Sequence, residues 1–362
     1  MSPTEMMYSL LAKTEHRIIR EEDSSARSFA KVNLSFLYGL LGEKEKSVMY
    51  YEECIKKISH FQGITLHYGL TNLLILSRYL EINKWISNSN SHKLTKVILK
   101  NLNIELQNSL VKEPRYFINN LHGISPLVSY FSEYIPTEID SETLIIRLKE
   151  YDAILTKYSL NDYSAAHGLA GNLLFINQFS KVTDHKEVIR SIVNRGISLI
   201  LENAVEFDDV IFLPGFKVSN TQEHRQDIID NRFSWCYGTL GILNCLLQFD
   251  KSFYDESQWN LLGKVKEQFI SSKNIDSRDI NFCHGLSGNL YLLKKNQLIS
   301  EEKYTQNLRK LYQCANQIEL TKISIGNIYS HIDGLISVLF IDLLTKENNR
   351  EIKKLLGFLY LQ

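Results

Sequence analysis

One internal repeat limits the folds that this chain can adopt. Six segments share a short polar or aromatic lead, a glycine and a run of apolar residues; they are 66–74, 121–128, 166–174, 236–243, 283–290 and 332–339. The glycines at their centres are Gly69, Gly123, Gly168, Gly238, Gly285 and Gly334. Each interval between them is long enough for two helices, so the repeat predicts a series of helical hairpins.

The two helices of each predicted hairpin differ in polarity. The helix after each glycine is apolar nearly all round, which is typical of a buried helix. The segments between are amphipathic, as in 142–157 and 301–318, and are expected to form an outer layer. We therefore predict an all-α fold, an α/α toroid in which Gly-led helical hairpins form a double ring of inner and outer helices. Closure of the ring removes the need for capping repeats.

The organisation of the chain follows from this repeat. We predict a single α/α-toroid domain over residues 1–362, with residues 1–60 as N-terminal outer helices. Glycines three apart, such as Gly238 and Gly241, are expected to let helix ends approach closely. The longest interval contains Pro214-Gly215 and a polar run, and we interpret 205–231 as a loop near the mouth of the ring.

Composition narrows the function classes. Of the 362 residues, 44% are apolar and 23% charged, and 41 basic residues balance 41 acidic ones, so no electrostatic footprint for nucleic acid is expected. Five cysteines in so long a chain do not make a disulfide framework. No signal sequence or membrane-spanning run is evident, which favours a cytoplasmic protein whose thiols stay reduced.

Three of the Gly-led segments carry metal-ligand chemistry. They read Trp235-Cys236-Tyr237-Gly238, Cys283-His284-Gly285 and His167-Gly168. Two thiolates and one imidazole suit zinc, and three protein ligands leave a fourth position open, which is the pattern of a catalytic site. A single buried cysteine is more often a small apolar residue, and we assign that role to Cys54, Cys245 and Cys314.

These motifs, in this order on a Gly-led helical repeat, resemble the lanthionine synthetase cyclase (LanC-like) family, the nisin cyclase group. The resemblance covers about residues 63–344. It implies that Cys236, Cys283 and His284 bind Zn²⁺ and that His167 moves protons. Arg232 and Tyr237 match positions of the active site, and Trp235 would line the substrate pocket.

One position departs from the family pattern. The family usually has an acidic residue at the place that Asn119 holds in this chain. Three alternatives follow: another carboxylate serves there, the nearby His122 serves, or catalysis is weakened. Other residues also have ordinary structural explanations. Arg232 could be a surface arginine, and Trp235 and Tyr237 could be packing residues.

The reaction that the resemblance implies is a Michael-type addition. Zinc lowers the pKa of a peptide cysteine thiol, and the thiolate adds to dehydroalanine or dehydrobutyrine in the same lanthipeptide precursor. His167 suits protonation of the resulting enolate, because the ordinary pKa of histidine lies near neutral pH. Arg232 would stabilise the enolate oxygen. The product is a lanthionine or methyllanthionine thioether ring.

Two alternatives use the same ligands differently. A non-catalytic relative would bind thiols or glutathione without turnover, and Asn119 favours this interpretation. A zinc-dependent prenyltransferase β-like subunit would share the toroid, but such subunits typically use an Asp, a Cys and a His as ligands. For a cyclase, the expected partners are the precursor peptide, a dehydratase and an ABC exporter. Peripheral association with the membrane would follow from such a complex.

Overall fold

The computed structural model describes residues 2–22, 24–61, 63–64, 69–108, 127, 130–131, 138–157, 161–181, 183–218, 223–272, 275, 279–320, 334–352 and 355. Contacts divide the chain into two compact units. Unit 1 comprises Met1–Gly63, Tyr68–Leu94 and Ser272–Leu356, and unit 2 comprises Ile64–His67, Thr95–Ser271 and Gly357–Gln362. Within the described ranges, no helix combines the length and the apolar character that a membrane crossing requires.

Unit 1 joins helices from both ends of the chain. Its helices are α1 (Pro3–Ile19), α2 (Ser24–Leu40), α3 (Lys44–Lys56), α4 (Leu70–Ile82), α12 (Leu286–Lys295), α13 (Glu301–Gln317) and α14 (Ile336–Lys346). A single 3₁₀ turn, Ile58–His60, follows α3. Helix α1 packs on α13 and α14, and α2 packs on α3, α4 and α14. The N-terminal helices are therefore part of the same core as the C-terminal ones.

Unit 2 holds the middle of the chain. Its elements are most of α5 (Ser89–Asn108), then α6 (Ser141–Lys157), α7 (Leu169–Gln178), α8 (Lys186–Glu202), β1 (Val205–Phe207), β2 (Val210–Phe212), α9 (Arg225–Asp230), α10 (Thr239–Leu246) and α11 (Glu256–Ser271). Short 3₁₀ turns lie at Phe179–Lys181 and Lys251–Phe253. Strands β1 and β2 form an antiparallel hairpin in which Val205 pairs with Phe212.

The Gly-led helices have the predicted starts and burial. Gly69, Gly168, Gly238 and Gly285 are the N-caps of α4, α7, α10 and α12. Helix α14 begins two residues after Gly334. Every residue of α10 is buried, and α7 is buried from Leu169 to Ile176. The segment around Gly123 lies outside the described residues.

The helices between them are amphipathic, as predicted. In α13 the buried residues fall at helical spacing on one face; they are Tyr304, Leu308, Leu311, Tyr312 and Ala315. Helix α8 repeats this pattern with Ile189, Ile192, Val193, Gly196, Ile197, Ile200 and Leu201. Helix α2 differs, because all its residues from 32 to 39 are buried. Its burial is therefore that of the Gly-led helices, although no glycine precedes it.

The segment 205–231 is more regular than the predicted loop. It contains the β1–β2 hairpin and α9, and its apolar side chains form a small cluster around Phe207, Phe212 and Ile228. Asp208 and Asp209 turn the hairpin with φ of 51° and 63°. This left-handed backbone is one that Asp and Asn tolerate better than most residues, which explains how two aspartates connect the strands.

Candidate metal centre

Three loops with one design lead into α7, α10 and α12. Their N-cap glycines, Gly168, Gly238 and Gly285, have extended backbones that any residue can adopt, so conformation alone does not require glycine. Glycine is required because neighbouring backbone atoms leave no room for a Cβ. A Cβ on Gly238 would lie 2.0 Å from the carbonyl oxygen of Asn231, and one on Gly285 would lie 2.4 Å from the backbone nitrogen of Asn281. Each loop therefore folds back tightly against its own glycine.

The same folding back of each loop supplies hydrogen-bond acceptors for N–H groups at the helix starts. The N-caps of these helices accept no hydrogen bond through a side chain, and loop carbonyls serve the first-turn N–H groups instead. The bonds run from Leu169 N–H to Asp162 O (3.0 Å), from Leu240 N–H to Arg232 O (3.0 Å) and from Leu286 N–H to Asp279 O (2.8 Å). The acceptor lies six positions before the glycine in each loop, so the backbone contacts are similar, although the donor in α10 is one residue further along.

A second glycine, three residues on, has a related role. A Cβ on Gly241 would lie 1.8 Å from the carbonyl oxygen of Trp235, and one on Gly288 would lie 1.9 Å from that of Phe282. The close approach expected from glycines three apart is present. It joins each helix to its own lead-in loop, because the loop crosses over the first helical turn.

Among the residues that the structure describes, Cys236, Cys283 and His284 form a group that could hold a metal ion. Both cysteines are buried and His284 is exposed. The donor set of two sulfurs and one imidazole fits zinc, and the N-terminus of a helix favours negatively charged ligands such as thiolates.

The His167 loop is bonded directly to the Cys236 loop. The N–H groups of Ala165 and Ala166 both donate to the carbonyl of Cys236, at 2.8 and 3.4 Å. The rings of His167 and Tyr237 lie 6.3 Å apart between centroids, and both side chains are half-buried. The loop contacts therefore place a histidine and a tyrosine, both partly exposed, beside a predicted metal ligand.

A backbone strap, residues 213–217, holds these two loops together. The carbonyl of Gly215 accepts from Tyr163 N–H at 2.9 Å, and Lys217 N–H donates to Asn161 O at 2.9 Å. On the other side, Leu213 N–H donates to Thr239 Oγ1 at 3.0 Å. A Cβ on Gly215 would lie 2.5 Å from the carbonyl oxygen of Tyr237, so glycine is needed for this contact.

A family model described as lanthionine synthetase C-like protein matches residues 34–339. The chain belongs to the lanthionine synthetase C-like family. Among solved structures, nisin cyclase matches with a TM-score of 0.65 and 16% sequence identity, over 99% of this chain and 98% of nisin cyclase. No curated protein sequence matches the chain. The predicted family and the predicted fold class are both confirmed.

In this LanC-like chain, aromatic rings surround the guanidinium group of Arg232. Its guanidinium carbon is 4.9 Å from the ring centroid of Phe269, 5.4 Å from that of Phe233 and 5.9 Å from that of Phe212. It also donates to the carbonyl of Gln268 at 3.4 Å. The cation is therefore held in a fixed place by the hairpin and by α11.

The remaining predicted residues have different placements. Trp235 is 0% exposed and directly precedes Cys236 in its loop. Its backbone carbonyl is the oxygen that Gly241 accommodates. Asn119 and His122 lie outside the described residues, so their roles stay predictions.

Sequence reasoning missed two side chains that bind the histidine-bearing loops. Ser164 Oγ accepts from His167 N–H at 3.3 Å, and Asn281 Oδ1 accepts from His284 N–H at 2.9 Å. Both residues lie four positions before the N-cap glycine. A signal existed, because aligning the three glycines places polar residues at this position in every loop, with Ser234 in the third.

Proposed function

We propose that the chain is a zinc-dependent lanthipeptide cyclase that forms lanthionine and methyllanthionine rings, with residues 1–362 acting as one cyclase domain. The observation that carries this proposal is the donor set: Cys236, Cys283 and His284 form a group that could hold a metal ion, and the Cys236 loop is hydrogen-bonded to the loop that bears His167. The family match favours this interpretation over the prenyltransferase one.

The residues take the following roles in the proposal. Cys236, Cys283 and His284 would hold the zinc ion. When bound, zinc supplies a coordination position for the cysteine thiol of the substrate and lowers the pKa of that thiol.

His167 and Tyr237 are half-buried neighbours that reach the same substrate. His167 donates a proton to the α-carbon of the enolate after the sulfur has added to the β-carbon. Arg232, held by three aromatic rings, supplies a fixed positive charge for the enolate oxygen. Trp235, which is fully buried beside Cys236 in the chain, would hold the Cys236 loop in place by packing.

The partners follow from the chemistry of the substrate. Dehydroalanine and dehydrobutyrine must be made before a thiol can add to them, so a dehydratase acts on the precursor peptide first. We place the reaction in the cytoplasm, where reduced thiols persist, and include an ABC exporter in a membrane-associated assembly that releases the finished peptide.

Incubation with a dehydrated precursor peptide tests the function. We expect the wild-type protein to consume free thiols of the peptide, as counted by thiol alkylation and mass spectrometry. Cys283→Ala should abolish both zinc content and ring formation, because two ligands remain. His167→Ala should keep zinc and slow ring formation by about 10²–10⁴-fold, the usual contribution of a general acid. Cys314→Ser, at an exposed thiol outside the ligand group, is the matched control and should remain fully active.

A non-catalytic scaffold that binds thiols or glutathione is the second candidate, and Asn119 in place of the family acid is the observation that favours it. It predicts a different outcome of the same experiment. Zinc would bind and the peptide would bind, yet all peptide thiols would persist in the presence of wild-type protein.

A further inference from the structure

The residue four positions before the N-cap glycine behaves differently in the three loops. In the loops that end in a histidine, this residue accepts from the histidine N–H: Ser164 from His167 and Asn281 from His284. Ser234 holds the same position before Tyr237. Its hydroxyl is buried and has no hydrogen-bond partner among the residues that the structure describes. This hydrogen bond is therefore present in the two loops that carry a histidine, and the Ser234 hydroxyl makes no such bond in the loop that carries Tyr237.

Asn281 is itself held in place. Its Nδ2 donates to Asp279 Oδ2 at 2.8 Å, and the other carboxylate oxygen of Asp279 accepts from Ile280 N–H at 2.6 Å. Asn281 is half-buried, whereas Asp279 is exposed. A short chain of hydrogen bonds thus runs from Asp279 through Asn281 to the backbone of His284.

This chain of hydrogen bonds matters more for His284 than a similar one would for the two cysteines. Cys236 and Cys283 are buried, so packing limits their positions, but His284 is exposed. An exposed side chain on an untethered backbone must lose conformational freedom when it binds a ligand, and that ordering weakens binding. The hydrogen bond that His284 N–H donates to Asn281 fixes the backbone, so part of this entropic cost is removed before the metal binds.

We propose that Asn281, supported by Asp279, is a positioning residue that preorganises His284 as the third metal ligand. Ser164 is its counterpart for His167. The inference rests on the proposed zinc site and deepens it, since it assigns a role to residues that donate no ligand atom.

Zinc affinity measured by competition with a chelator tests this role without any peptide substrate. Asn281→Ala should bind zinc about tenfold more weakly, as is common when partners of metal ligands are removed. Asn281→Ser should recover affinity to within about threefold of wild type, because Ser164 reaches the equivalent N–H in the His167 loop. Ser234→Ala is the matched control and should leave zinc affinity unchanged.

Two results would overturn the inference: equal zinc affinity of Asn281→Ala and wild type, or an equal loss in Ser234→Ala. If circular dichroism finds Asn281→Ala unfolded, Asp279→Ala at the exposed end of the chain replaces it. That variant should weaken zinc binding about threefold, and wild-type affinity in it would overturn the inference. Failure of the proposed function is distinct, because wild-type protein would then bind no zinc or leave peptide thiols unconsumed.

Discussion

Gly288 illustrates how a single missing Cβ permits the ligand-bearing loop. An added Cβ would lie 1.9 Å from the carbonyl oxygen of Phe282, a backbone atom that cannot rotate away. We expect Gly288→Ala to lower the free energy of unfolding by about 3 kcal/mol, at the upper end of overpacking costs, as measured by urea denaturation. Zinc binding should weaken with it, because Phe282 directly precedes Cys283.

Gly263 provides the control for this prediction. It lies in the middle of α11, is exposed, and a Cβ there would meet nothing within 4 Å. Gly263→Ala should raise the free energy of unfolding by about 0.5–1 kcal/mol, because alanine loses less backbone entropy in a helix. If both variants changed stability alike, steric fold-back would not explain Gly288.

Individual site residues were predictable to different degrees. Cys236, Cys283 and His284 could be proposed as ligands from the sequence, because two thiols and one imidazole before the glycines of a repeat suit zinc. Asn281 and Ser164 had only a weak signal, a polar residue four positions before each glycine, because Ser and Asn are common before helices. Their hydrogen bonds to His284 and His167 depend on a loop backbone that sequence does not display.

Among the elements, the β1–β2 hairpin was the main departure from expectation. Val205-Glu206-Phe207 and Val210-Ile211-Phe212 are rich in residues that favour strands, and two aspartates lie between them. The Pro214-Gly215 turn and the polar residues after it suggested a loop instead. The buried Gly-led helices were predictable because glycine and apolar runs recur, whereas a three-residue strand has no comparable periodic signal.

Gln268 ties this hairpin to α11. Its Oε1 accepts from Ile211 N–H at 3.1 Å, and its Nε2 donates to the carbonyl of Asp209 at 3.1 Å. Gln268→Ala should cost about 1–2 kcal/mol, for two lost hydrogen bonds, and should speed hydrogen exchange of the Ile211 amide. The neighbouring exposed Glu267→Ala is the control and should change neither quantity. Unchanged exchange at Ile211 in Gln268→Ala would contradict this assignment.

Across the chain as a whole, the first helix belongs to the fold although it precedes the family match, which begins at residue 34. Helix α1 buries Met6, Leu10 and Ile18 within unit 1 and packs on α13. Lys13 Nζ donates to the carbonyl of Asn316 at 3.2 Å, across nearly the full sequence. The repeat predicted helices here but not this pairing, because long-range partners are set by three-dimensional packing.

Buried tyrosines make the stability of the chain depend on alkaline pH. Burial raises the pKa of Tyr291 to about 12 from 10.0, and burial also raises the pKa values of Tyr151 and Tyr304. Each phenol stays neutral in the folded state but ionises in the unfolded chain above pH 10. The unfolded state then holds fewer protons, so this stabilisation is complete below pH 10 and is lost as the pH rises.

Urea unfolding at about pH 8, 10 and 11 checks this expectation. Between the last two values, the free energy of unfolding should fall by roughly 1 kcal/mol for each fully buried tyrosine. Tyr291→Phe should reduce that slope by one such contribution while leaving the dependence below pH 10 unchanged. A chelator present throughout keeps metal binding from adding its own pH dependence. A free energy of unfolding that stays flat from pH 8 to 11 would mean that these phenols ionise freely in the folded chain, which their burial opposes.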